Sequence, residues 1–157
     1  MDFNTPYGIK LKLDATIKEI VRFMEEDKDR RYKIIVGSDS LKREKDLADF
    51  VTAVIVHREG NGGRYFWRRL ELDKIHNLRN RIIQEVMFSL EAAQKILDGL
   101  KKISAPKFDF EIHIDVGENG ETKSMISEVV GMVRAYNFEA RTKPQSYAAS
   151  KVADRHV

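Results

Sequence analysis

The chain has 157 residues, a formal net charge of +3, 42% apolar and 34% charged residues, and no cysteine. That length predicts a single domain (residues 1–157) with a real core, and the lack of cysteine excludes disulfides and thiolate zinc sites. No apolar run reaches the length of a membrane-spanning helix, and Met1-Asp2-Phe3-Asn4 does not read as a signal peptide, so a cytoplasmic protein is expected, with no membrane partner.

Residues 1–13, with Pro6 and Gly8, read as an irregular or extended lead-in. Ile17, Ile20, Val21 and Met24 then recur at helical spacing, with Asp14 or Thr16 as candidate N-cap. The charged run from Glu25 to Arg31 reads as a solvated loop that closes this N-terminal extension, residues 1–31. Tyr32 to Ser38 is an apolar run that stops at small and polar residues, which predicts a buried strand with Asp39 where it leaves the core. Asp39-Ser40 taken alone reads first as the opening of a turn, and the alternative is a ligand site, with little bulk at Gly37 and Ser38 to keep a metal or phosphate away. Leu41 to Asp49 reads as a loop, Phe50 to His57 as a β-branched strand, and Arg64 to Leu70 as a third strand after a Gly-rich turn.

The longest helical pattern runs from about Ile75 to Leu100, with Ile82, Val86, Leu90, Ala93 and Ile96 on one face. Phe108 to Val116 alternates with period two: Phe110, Ile112, Ile114 and Val116 point one way, Glu111, His113 and Asp115 the other. A helix from Thr122, its expected N-cap, to Ala135 follows, then a short strand from Phe138 to Thr142, broken by Pro144. Ser146 is placed to cap a last helix from Tyr147 to about Arg155. The order is a helix followed by β-β-β-α-β-α-β-α, which predicts a mixed five-stranded α/β sheet with helices packed on its faces. Right-handed crossovers put the fourth strand beside and parallel to the first, so that Asp39 and Asp115 emerge at one end of neighbouring strands.

This order, with an acid ending each of those two strands, resembles the ribonuclease H-like fold. Gly37-Ser38-Asp39-Ser40, Ile114-Asp115-Val116-Gly117, Lys143-Pro144 and Ala148-Ala149-Ser150-Lys151-Val152-Ala153-Asp154 together resemble the YkuK-type family of that fold. The resemblance implies a metal-dependent nuclease site acting on nucleic acid. Phosphodiester hydrolysis needs a nucleophilic water and a stabilised leaving oxygen, which two Mg²⁺ or Mn²⁺ ions held by carboxylates supply. Asp39 matches the acid of the first strand in such enzymes, Asp115 that of the fourth strand and Asp154 that of the last helix, and all three are expected as metal ligands. The remaining acid comes from the long helix. Glu85 flanks the apolar stripe and Glu91 points nearly opposite it, so Glu85 is preferred.

Other residues carry two readings each. His113 can touch metal or phosphate, or be a satisfied histidine under a helix; His156 follows Asp154 in a tail expected to fray. Lys143, Ser38 and Ser40 can contact substrate or be ordinary surface and turn residues. Arg64, Arg68, Arg69, Lys74, Arg79 and Arg81, interleaved with Tyr65 and Trp67, suit a nucleic-acid track or a solvated basic edge, with Arg64 and Arg68 as candidate strand contacts. The competing functions are a non-catalytic nucleic-acid-binding module on the same fold and a phosphotransferase, suggested by Asp115-Val116-Gly117. The latter needs two domains around a cleft, and this length suits one.

Overall fold

The computed structural model describes residues 1–157. Its strands are β1 (Asp2–Asn4), β2 (Lys10–Lys12), β3 (Tyr32–Lys42), β4 (Ala48–Arg58), β5 (Gly63–Leu72), β6 (Asp109–His113) and β7 (Glu139–Arg141). Its α-helices are α1 (Leu13–Glu25), α2 (Leu78–Lys101) and α3 (Ile126–Ala135). The C-terminal segment is a wide, π-type turn, Ala148–Val152, running into a 3-10 turn, Ala153–His156. All seven strands form one mixed sheet in the order β2-β1-β5-β4-β3-β6-β7. The expected count of five is thus corrected to seven, because the lead-in folds as a small hairpin that joins β5 through Asn4↔Trp67. The antiparallel meander β3-β4-β5 and the parallel pairing of β3 with β6 are as expected.

β3 is the strand around which the sheet is built. Ile34 and Val36 pack into the main core beneath α1 and α2 with Ile20, Met24, Val86 and Ile96. Ile35 points to the other face, against Ala148 of the C-terminal segment. Such side chains contribute about 1.5–3 kcal/mol each on full burial, and alternate positions of one strand thus hold the two layers. Ser38 extends the α2-facing row: its hydroxyl lies 2.8 Å from that of Thr52 on β4 and 2.7 Å from that of Ser89 on α2. On α2, Glu85 lies one helical turn from Ser89 and on the same face, so this buried hydroxyl chain sets which way Glu85 points.

Helix starts differ from expectation. The residue before α1 is Lys12, with no side-chain cap, while Thr16 donates its hydroxyl to the Lys12 carbonyl at 3.0 Å. Asn77 caps α2 by accepting the N–H of Asn80 at 2.8 Å. Thr122 makes no cap; its hydroxyl binds the N–H of Gly117 at 3.1 Å and tethers the loop after β6 instead. Ser146 holds the C-terminal segment through its carbonyl, which accepts from the N–H groups of Ala149 and Ser150, and not through its side chain.

Candidate metal centre

Strand-length mismatch makes the site. β3 pairs with β4 along its whole length, to Lys42↔Ala48, but with β6 only as far as Gly37↔His113. Asp39 therefore does not end a strand, as the sequence suggested; it lies within β3, just past the point where its parallel neighbour stops. Beyond His113 the Val116 N–H bonds back to the Ile114 carbonyl at 2.9 Å, a three-residue turn centred on Asp115. The regular strand ends at His113, yet Ile114 and Val116 still enter the core with Phe110 and Ile112 as the alternation predicted, and the turn presents Asp115 on the outside of it.

Carboxylates reach this gap from every side. Asp39, Glu85 of α2 and Asp115 each offer an oxygen, and these three atoms lie within 4.8 Å of one another. Asp154, exposed on the C-terminal segment on the other face of the sheet, is near enough to affect Asp39 but is not one of these three. Burial first, then the neighbouring Asp154 and the charge of Asp115, lift the Asp39 pKa from 3.8 to about 7, against the lowering effect of the Ser40 N–H, which donates to Asp39 Oδ1 at 2.9 Å. Glu85 is 5% exposed, and burial followed by the charges of Asp39 and Asp115 raises its pKa well above the usual range. Ser40 donates its hydroxyl to Glu85 Oε2 at 3.3 Å.

Of the two helix carboxylates left by the sequence, Glu85 is at the gap and Glu91 is exposed. Lys143 Nζ stands 3.2 Å from Asp115 Oδ1, yet that oxygen is buried and accepts no aligned hydrogen bond. Three carboxylates converging on one gap are the donor set a hard divalent cation takes. The residues present fit such an ion.

Several expectations resolve differently. Gly37 makes room for backbone, not ligand: a Cβ there would lie 2.7 Å from the Ala149 nitrogen and 3.0 Å from Ala148. Ser38 is buried and fully engaged by its two hydroxyl partners. His113 Nδ1 accepts the Ala148 N–H at 3.2 Å, which puts the proton on Nε2, donated to Glu111 Oε1 at 2.8 Å. With both nitrogens used, His113 holds the C-terminal segment in place and has no lone pair for a metal. His156 does not fray: its ring stacks on Trp67 at 4.2 Å and bonds the Tyr65 hydroxyl at 3.1 Å. Arg79 is taken up by Glu128 through both terminal nitrogens. Arg64 lies over the Phe23 ring, and its register partner Val56 pairs with Ile34, at the end of the sheet away from Asp39. Arg68 borders a hollow with Asp2, Asn4 and Lys10 at the edge of the N-terminal hairpin. Neither is brought to the carboxylates.

A family model for ribonuclease H-like proteins matches residues 15–157. The chain belongs to the ribonuclease H-like family. It is 33% identical to the uncharacterised protein YkuK of Bacillus subtilis (strain 168), over 93% of this chain and 91% of that relative. No solved structure gives a significant match. The mixed sheet, with β3 and β6 parallel at its centre, is consistent with a ribonuclease H-like fold, and no helix is long and apolar enough to cross a membrane.

Proposed function

We propose that this chain is a divalent-metal-dependent nuclease, hydrolysing phosphodiester bonds of nucleic acid at the Asp39–Glu85–Asp115–Asp154 gap. The observation that carries the proposal is the convergence of three carboxylate oxygens, from Asp39, Glu85 and Asp115, within 4.8 Å of one another. A pair of Mg²⁺ or Mn²⁺ ions supplies an activated water and stabilises the leaving oxygen. Asp39, Asp115 and Asp154 hold the ions, and Glu85, nearly dry, completes the set from the helix side. Ser40 orients Glu85, and Ser38 fixes the helix that carries it. Lys143, half-exposed beside Asp115, would meet a substrate phosphate. Arg64 and Arg68 add long-range attraction for a polyanion.

The test compares the purified protein with Asp39→Asn on single-stranded RNA, single-stranded DNA and an RNA–DNA hybrid. Cleavage should need Mg²⁺ or Mn²⁺, stop with EDTA, and fall by several orders of magnitude in the variant, because a metal site acts as a unit. Equal cleavage by both preparations refutes the reading. Tight binding with no cleavage of any substrate marks a non-catalytic nucleic-acid-binding module instead.

A further inference from the structure

A second charged cluster lies on the same face of the sheet as Asp39. Asp39 pairs with Val51 and Val51 with Arg69, so the three form one row across β3, β4 and β5. Cross-strand partners share a face, and two strand spacings put Arg69 roughly 10 Å from Asp39 at the backbone. Next to that row is Asp49, whose carboxylate is only 3% exposed. Both Arg43, in the loop joining β3 to β4, and Arg69 bind the same oxygen of Asp49, Arg43 through Nε at 2.6 Å and Arg69 through Nη2. The two guanidinium contacts hold the Asp49 pKa below its ordinary value despite burial.

One guanidinium would neutralise Asp49. Two leave a net positive charge, and each spends only one nitrogen on the carboxylate. An arginine carries five N–H donors in a rigid fork, so most of both forks is left for another acceptor. Arg43 and Arg69 are 44% and 46% exposed. A buried anion thus pins two half-open forks in place, and side-chain freedom that phosphate binding would otherwise remove is already lost.

We propose that Arg43 and Arg69, pinned by Asp49, form a phosphate-binding subsite that grips the nucleic-acid backbone beside the scissile bond. The inference rests on the nuclease reading only for its substrate class, since a non-catalytic module would use the same clamp. Val51, the middle of that row, is buried beneath Ala153 of the C-terminal segment, so a strand leaving the carboxylate gap reaches the two forks around the outside of that segment. The contact is to the backbone, so it gives register and not sequence preference.

The experiment measures affinity for short labelled single-stranded RNA and DNA in EDTA, where no cleavage intrudes, across a salt series. Arg43→Gln and Arg69→Gln should each weaken binding about tenfold and reduce the slope of log affinity against log salt by about 0.7. The melting shift given by Mn²⁺ should stay as in the unaltered protein. Arg79→Gln is the control, because Glu128 already occupies its fork; an equal effect there would reduce the result to general charge and overturn the clamp. Unchanged affinity in a folded Arg43 or Arg69 variant also overturns it while leaving the metal centre standing. No binding of either nucleic acid by the unaltered protein overturns the clamp and the nuclease reading together. Should a glutamine variant fail to fold with Asp49 left short of a partner, Arg43→Lys and Arg69→Lys keep the charge and lose the fork; they should weaken binding with the salt slope retained, and undiminished affinity refutes the clamp.

Discussion

Gly37→Ala tests how the two faces of the sheet cooperate at the metal centre. The added methyl carbon would stand 2.7 Å from the Ala149 nitrogen and 3.0 Å from the carbonyl carbon and Cβ of Ala148. Comfortable contact for such atoms is about 3.5–4.0 Å, so something retreats by about 1 Å. β3 cannot, because β4 and β6 hold it on both sides at Gly37. The C-terminal segment moves instead, lengthening the 3.2 Å bond from Ala148 N–H to His113 and carrying Asp154 away from Asp39. Overpacking of this kind costs about 1–3 kcal/mol. A misplacement of about 1 Å at a reacting centre costs up to about 10²-fold in rate. Initial cleavage rates with saturating Mn²⁺, beside melting curves of the same preparation, separate the two effects. The expected variant is folded, melts slightly lower, responds less to Mn²⁺ and loses far more rate than stability. A folded Gly37→Ala protein with the unaltered rate and metal response would refute the link between this close approach and Asp154.

Two further predictions concern protons and hydroxyls. Asp39, with its pKa raised from 3.8 to about 7, binds a proton in the folded state over a pH range where the unfolded chain does not; stability from this group is therefore lost as pH rises from about 4 to about 7. The rise corresponds to roughly 4 kcal/mol at 1.36 kcal/mol per pH unit, and solvent screening at a partly open carboxyl brings it to the order of 1–2 kcal/mol. His113 and His156, lowered by burial, pull the other way, so the measured quantity is the melting difference between the unaltered protein and Asp39→Asn in EDTA. That difference should move against the unaltered protein between about pH 4 and about pH 7, and a constant difference would sink the assignment. Ser89→Ala removes one of the two hydroxyl partners of Ser38 and should cost about 1 kcal/mol, with weaker Mn²⁺ binding because Glu85 loses its register. Unchanged melting and metal titration would take Ser89 out of that role.

The apolar run at Ile34–Val36, the alternation at Phe110–Ile114 and the order of elements carried enough information to place β3 beside β6, and with them two of the acids. Where pattern is short it fails: β1 and β2 have three residues each, around Pro6 and Gly8, and no periodicity can be read from so little. Asp115 reaches the gap as expected, though alternation says nothing of the turn that presents it. Nothing in the sequence singles out Ser89 or Thr52, and only their meeting at Ser38 reveals a buried chain. His156 looked free because its partner Tyr65 stands 91 residues away. The arginine pair was hidden for the same reason, since positions 43, 49 and 69 become neighbours only when the meander closes.

The same meander bears on how long the folded state lasts. β3, β4 and β5 are joined by the short loops 43–47 and 59–62, so their pairing is local in sequence and cheap to close. The carboxylates arrive from positions 39, 85, 115 and 154, and crowd only once every distant element has docked. Their repulsion therefore belongs to the finished structure and is largely absent at the folding barrier. Interactions of that class act on the rate of leaving the native state. Crowded acids thus give the metal-free chain a short native lifetime without slowing its formation, and denaturant-jump kinetics would register relief of the crowding almost entirely on the unfolding limb.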